Sequence, residues 1–194
     1  IDITAALLAK AHPFPAHITY KPIIELEREC FDSAAHIITW SEWARRSVID
    51  DYNISSQKVT TIHPFIPLEI FNFESRSKPS KSKPRLLFVG NDFVRKGGED
   101  VLAVFLEEFV ESCEIDIVTN ASIELPKLPN VRIYQGVRPL SPELLELYQA
   151  ADIFVMPTQE DCFPLVFVEA MAAGLPCVGT TVMGVPELVQ NGCN

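Results

Sequence analysis

Short runs of β-branched and apolar residues alternate with helical stretches along nearly the whole chain, and this alternation leaves few folds open. Strand, helix, strand is the grammar of a parallel sheet, because parallel strands need a long crossover between them. In the first third, residues 23–35 read as a helix and 36–40 as a short buried strand. Ser41 then caps a helix over 42–52, and 58–62 forms a second strand. From residue 85 the alternation is denser. Strands are expected at 85–89, 114–118, 131–134, 152–156 and 177–180. Helices are expected at 97–109, at 142–150 with Ser141 as N-cap, at 164–173, and from near Pro186. The class is α/β, a doubly wound parallel sheet of Rossmann-like type. Ligands of such sheets bind beyond the carboxyl ends of the strands, so functional residues should follow Val89, Tyr134, Met156 and Thr180.

The stretch 75–84, Ser-Arg-Ser-Lys-Pro-Ser-Lys-Ser-Lys-Pro, is polar and proline-punctuated with nothing to bury, and reads as a linker. It separates residues 1–74 from a second domain over 85–194. The hydrophobic fraction of 47% allows a substantial core and argues against disorder. No apolar run approaches the roughly 20 residues a membrane helix requires. The opening residues lack a basic region followed by an apolar stretch, so no secretion signal is visible. They also lack a Met and read as mid-chain, which suggests a piece of a longer protein.

The net charge of -10 argues against a nucleic-acid partner, which needs clustered Lys and Arg. Five cysteines without a CxxC pair fit a reducing, cytoplasmic setting better than a disulfide framework or a zinc site. His12, His17, His36 and His63 show no ligand spacing, so no metal is expected. Neither GxGxxG nor GxxxxGK[ST] occurs, which counts against a dehydrogenase and a P-loop NTPase.

Three post-strand segments carry the chemistry. The first is residues 157–171, where Asp161 precedes a helix and Glu169 lies over one turn inside it. Pro164 suits the first helical position, and a helix start at the ligand edge favours phosphate. Two carboxylates facing one pocket would accept hydrogen bonds from sugar hydroxyls. The plainer alternative is that Asp161 only caps the helix and Glu169 faces solvent. Glu169 interrupts a very apolar helix, however, and a buried carboxylate needs a ligand or cation beside it. The second segment runs from Phe88 to Gly98. Gly90 allows close backbone approach, and Arg95 and Lys96 can neutralise a diphosphate. An ordinary turn with solvated cations is the alternative. The third is Gly184-Val185-Pro186-Glu187, which reads as a helix start.

Taken together, these motifs resemble the GT-B-fold glycosyltransferases of family 4, a large retaining group. Ser41-Glu42-Trp43-Ala44-Arg45-Arg46-Ser47 with Asp51-Tyr52 is similar to the end of that family's acceptor-side domain. Phe88-Val89-Gly90 with Lys96-Gly97-Gly98 is similar to the opening of its donor-side domain. Asp161 and Glu169, with seven residues between them, match its paired acids, followed by Ala170-Met171-Ala172-Ala173-Gly174-Leu175-Pro176. Gly184 to Glu187 matches the next loop. The resemblance implies that Lys96, helped by Arg95, holds the donor diphosphate. Asp161 would meet the donor sugar, and Lys96, Arg95 and Asp161 form the catalytic set. Glu169 would bind the ribose, and backbone N–H groups around Phe163 and Leu165 the phosphates. The base is expected at the loop after the fourth strand of this domain, assigned to Gln135, Gly136 and Val137. Gly90, Asn91, Cys162 and Pro164 complete the donor-binding set.

There are departures from the family pattern. Asp161 stands where Glu is usual, with Glu160 adjacent. Pro164 replaces a usual Gly and removes one N–H. Asn91 stands where many members carry an Arg. The acceptor domain's early glycine-rich loop, an active-site His and the closing helices have no counterpart in the sequence. The implied reaction is retaining transfer of a hexose-type sugar from a UDP- or GDP-sugar to a glycan or lipid hydroxyl, without a cofactor. A sugar-nucleotide epimerase of the same fold and a non-catalytic nucleotide-sugar-binding domain are the alternatives. The resemblance also allows peripheral contact with the inner membrane face, through acceptor-domain segments absent from the sequence.

Overall fold

The computed structural model describes residues 1–11, 16–71, 83–124 and 128–193. The chain divides into two compact units, Ile1–Pro64 and Phe65–Asn194. The linker expected at 75–84 lies, except for its last two residues, outside the described residues.

In the first unit, helices α1 (Ala5–Ala11) and α2 (Ala16–Ser33) precede strand β1 (Ile37–Thr39), helix α3 (Glu42–Asp50) and strand β2 (Val59–Thr61). The two strands pair in parallel, with Ile37 opposite Val59 and Thr39 opposite Thr61. Ser41 caps α3 as expected, accepting the Ala44 N–H at 3.0 Å. Phe31, Ile37, Val48, Tyr52, Ile54 and Val59 form the small core. Helix α2 begins seven residues earlier than the sequence suggested and carries Pro22 inside it. A proline there forfeits one backbone bond, which a long helix can absorb.

Among its described residues the second unit holds five parallel strands: β3 (Arg85–Val89), β4 (Glu114–Val118), β5 (Val131–Tyr134), β6 (Ile153–Met156) and β7 (Cys177–Gly179). Their order across the sheet is β5-β4-β3-β6-β7. The chain therefore builds outward from β3 in one direction and then restarts at β6 in the other. The boundary between β3 and β6 is the topological switch point, the crevice where doubly wound sheets bind ligands. Helices α4 (Gly98–Val104), α5 (Pro142–Ala150) and α6 (Leu165–Ala172) are the helical connections. Leu87, Phe88, Ile115, Ile117, Phe154, Met156 and Phe167 are fully buried at the core's centre. Ser141 caps α5 through the Leu144 N–H at 3.3 Å.

Two expectations are corrected. The helix expected over 97–109 is α-helical only to Val104 and ends in a π turn, Phe105–Phe109. Phe105 stays buried and Leu106 and Val110 pack against the core, whereas Phe109 is exposed. The helix expected from Pro186 is a single 3-10 turn, Val185–Glu187. All five cysteines are free. Among the described residues, no helix is long and apolar enough to cross a membrane.

Candidate functional site

The loop after β3 and the loop after β6 meet across the switch point. Three backbone features fix how they meet. Gly97 adopts φ 77, open to few residues but glycine, and a Cβ there would sit 2.2 Å from the Pro157 carbonyl oxygen. The two loops therefore touch backbone to backbone. The Gln159 N–H donates to the Arg95 carbonyl at 2.9 Å. Gly184, from the segment after β7, lies under Cys162, where a Cβ would come within 1.8 Å of the Cys162 oxygen.

Thr158 ties the junction together. It is fully buried, and its hydroxyl lies 3.2 Å from the Arg95 carbonyl and 2.9 Å from the Glu160 carbonyl. The Glu160 N–H donates back to it at 3.3 Å. Thr180, just past β7, donates its hydroxyl to the Thr158 carbonyl. Sequence reasoning missed Thr158 and Thr180, although both sit at the strand ends where ligand loops begin. Short hydroxyl side chains carry no charge signal, and their partners are distant in sequence.

The scaffold brings the charged residues together. Lys96 forms an ion pair and hydrogen bond with the Asp161 carboxylate, and both side chains are mostly buried. Arg95 is more open. Its Nε donates to Asp92 at 2.7 Å and one Nη to the Glu160 carbonyl at 2.8 Å. The guanidinium hydrogen bond holds the Asp92 carboxyl below the usual carboxylate range. Asp161 therefore does not cap α6; Pro164 occupies the cap position and Leu165 starts the helix. Pro164 stands one residue earlier than the first helical position expected for it. The Asp161 carboxylate reaches Lys96, whereas Glu160 offers its carbonyl to Arg95. The Gly90 N–H donates to Val118 at 2.9 Å, and Gly90 itself lies against the Lys96 stem. Asn91 is exposed, with its carbonyl 3.5 Å from the Thr119 hydroxyl. Phe163 is buried, and Cys162 is half-buried.

Glu169 is only 6% exposed on α6. No cation sits beside it among the described residues. Its partner is the Tyr148 hydroxyl from α5, at 2.8 Å. Burial raises its pKa, and the tyrosine hydrogen bond opposes the rise.

Gly136 and Val137 stand apart from this cluster. They follow β5, the third strand of this sheet in chain order and not the fourth as expected. That strand forms the sheet's far edge, separated from β3 by β4. The Gly136 N–H donates to the Asn120 side chain at 2.8 Å, tying the β5 loop to the loop after β4.

The model for glycosyl transferases of group 1 matches residues 83–194, more than half the chain. The chain belongs to the group 1 glycosyl transferases. It is 45% identical over 47 residues to the N-acetyl-alpha-D-glucosaminyl L-malate synthase of Bacillus anthracis, a match covering 24% of this chain and 12% of that protein. It is 26% identical over 192 residues to a D-inositol 3-phosphate glycosyltransferase of Corynebacterium diphtheriae, covering 86% of this chain and 44% of that protein. The chain thus spans less than half the length of these curated relatives. A glycosyltransferase from Rickettsia africae superposes with a TM-score of 0.68 at 15% identity, covering 84% of this chain and 50% of that one. An Anabaena protein solved with UDP and glucose gives a TM-score of 0.64 at 16% identity, over 83% and 48% of the two chains. At such identities the structural likeness is one of fold: the doubly wound sheet of GT-B glycosyltransferases. For this group 1 glycosyl transferase, the expected α/β class therefore holds.

Proposed function

We propose that the second unit is the donor half of a retaining glycosyltransferase of family 4, which moves a hexose-type sugar from a nucleoside diphosphate sugar to an acceptor hydroxyl. The first unit is then the last part of the acceptor-side domain. One observation carries the reading: Lys96 and Asp161 meet at the switch point, directly before the N-terminus of α6. A cation, a carboxylate and a helix start at one crevice suit a diphosphate joined to a hydroxylated sugar.

The chemistry needs negative charge stabilised on the departing diphosphate. An ammonium group has three donors, and Asp161 takes one of those on Lys96, leaving capacity for phosphate oxygens. Arg95 adds a second cation at the rim. Its Nε and one Nη are held by Asp92 and Glu160, which orients the guanidinium before any ligand arrives. Such preorganised donors stabilise developing charge without reorganising during the reaction. The Asp161 carboxylate accepts from sugar hydroxyls, and Glu169 from the ribose. Gly136 and Val137 stand on the β5 side, where the base would extend. The Anabaena neighbour was solved with UDP and glucose, which favours a UDP-sugar. The acceptor is a glycan or lipid hydroxyl.

A thermal-shift screen with UDP, GDP and ADP tests the donor site. A nucleotide at 100 times its Kd should stabilise the chain by about 2.7 kcal/mol. The absence of a shift with all three would defeat the proposal.

A further inference from the structure

We infer that Tyr148 is the positioning residue for Glu169, setting the carboxylate that meets the nucleotide ribose. This rests on the donor-site reading above and adds to it a residue that no ligand can touch. Tyr148 is fully buried, and its hydroxyl donates to Glu169 Oε2 at 2.8 Å across 21 residues of sequence. The Val166 carbonyl, about one turn earlier on α6, lies 3.4 Å from the Tyr148 hydroxyl oxygen. A phenol has a single proton to give, and the carboxylate is the nearer and stronger acceptor.

The ring cannot swing away. Phe71 packs against it edge-on at 6.2 Å between centroids, and Phe154 lies on it at 6.1 Å. The hydroxyl is therefore held at a fixed point by α5 and the core. It reaches one carboxylate oxygen and so selects one orientation of the Glu169 side chain. A carboxylate has about four acceptor sites. One bond to Tyr148 leaves room for vicinal ribose hydroxyls.

The geometry also explains how an acid is tolerated in an apolar helix. A buried carboxylate without a partner is costly, and a cation would compete with the ligand for it. A neutral donor satisfies part of the carboxylate and leaves its charge for the ribose. Groups that orient a binding carboxylate from behind typically matter nearly as much as the carboxylate itself.

The test is a double-mutant cycle on this chain. Affinities for UDP, GDP and ADP, and for their 2′,3′-dideoxy forms, are measured by calorimetry in the wild type, Tyr148→Phe, Glu169→Gln and the double variant. Tyr148→Phe keeps the ring and its packing. It should weaken binding of the preferred ribonucleotide about tenfold, the scale of one hydrogen bond to a charged group. Glu169→Gln should do at least as much, and the double variant should be no worse than Glu169→Gln alone. The dideoxy nucleotide should bind both single variants as it binds the wild type.

Additive losses, or an equal loss for the dideoxy form, would overturn the positioning role and leave the donor site standing. Full affinity in Glu169→Gln, or no nucleotide binding by the wild type, would overturn the donor-site reading itself. If Tyr148→Phe does not fold, 3-fluorotyrosine in place of Tyr148 provides a stronger donor of nearly the same shape. It should tighten the ribonucleotide and not the dideoxy form, and unchanged affinity for both overturns the inference.

Discussion

Lys96 and Asp161 lie 65 residues apart and form a mostly buried ion pair where the loops after β3 and β6 converge. The ammonium and the carboxylate balance each other's charge within the crevice. Removing one partner leaves the other unpaired and only partly solvated. Asp161→Asn and Lys96→Ala should each lower stability by about 1–2 kcal/mol, seen in denaturant titration. Lys96→Ala should also abolish transfer in the full-length enzyme. Near-normal turnover in that variant would remove Lys96 from the mechanism.

The contact between the two loops depends on a missing side chain. Gly97→Ala would force a Cβ to 2.2 Å from the Pro157 oxygen at φ 77, and Gly184→Ala one to 1.8 Å from the Cys162 oxygen. In both cases the obstacle is backbone, which cannot rotate aside. Each substitution should cost more than about 2 kcal/mol and weaken nucleotide binding through displaced loops. Melting temperatures within a degree of wild type would show that the loops do not pack this closely.

Thr158 holds three segments through one hydroxyl and one carbonyl. Thr158→Val has the same shape but removes the hydroxyl that bonds the Arg95 and Glu160 carbonyls and accepts from the Glu160 N–H. A loss of about 1–3 kcal/mol is expected, with Thr158→Ser recovering most of it. Equal stability of the Val and Ser variants would mean that the hydroxyl contributes nothing.

The buried Glu169 predicts opposed effects of pH. Its pKa is raised mainly by burial, so the folded state holds the proton more tightly than the unfolded chain does. The resulting stability is fully present below the ordinary glutamate value of 4.5 and is lost as pH rises through the higher folded value. Glu169→Gln removes this titration, so the variant should gain on the wild type in stability as pH rises above 4.5. Ribonucleotide affinity of the wild type should increase over the same range as the carboxylate ionises. Parallel stability curves for the two proteins would contradict the buried, raised Glu169.

Local patterns were legible wherever the physics is local. Ser41 and Ser141 cap the helices they precede, because a hydroxyl reaches the third N–H beyond it whatever the rest of the chain does. The strands of the described residues follow from short apolar runs bounded by turn residues; Asp161 and Lys96 stood out as charges set beyond strand ends, and Glu169 as an acid inside an apolar helix. Elements whose length depends on packing were less legible. Nothing in 97–109 announces a π turn, and the short 3-10 turn at Val185 shares its Pro-Glu opening with a true helix start.

The sequence by itself determined that this chain folds as strand-and-helix units and that its charged residues cluster where strands end. Hydrophobic period and capping chemistry act over a few residues and are written in order along the chain. Only the tertiary structure decided what those charges meet. Strand order β5-β4-β3-β6-β7 places the first and fourth strands of the sheet side by side, which brings Asp161 to Lys96. Helix packing sets Tyr148, and not a cation, beside Glu169. Such pairings arise from which surfaces are buried against each other, and no short stretch of sequence encodes that.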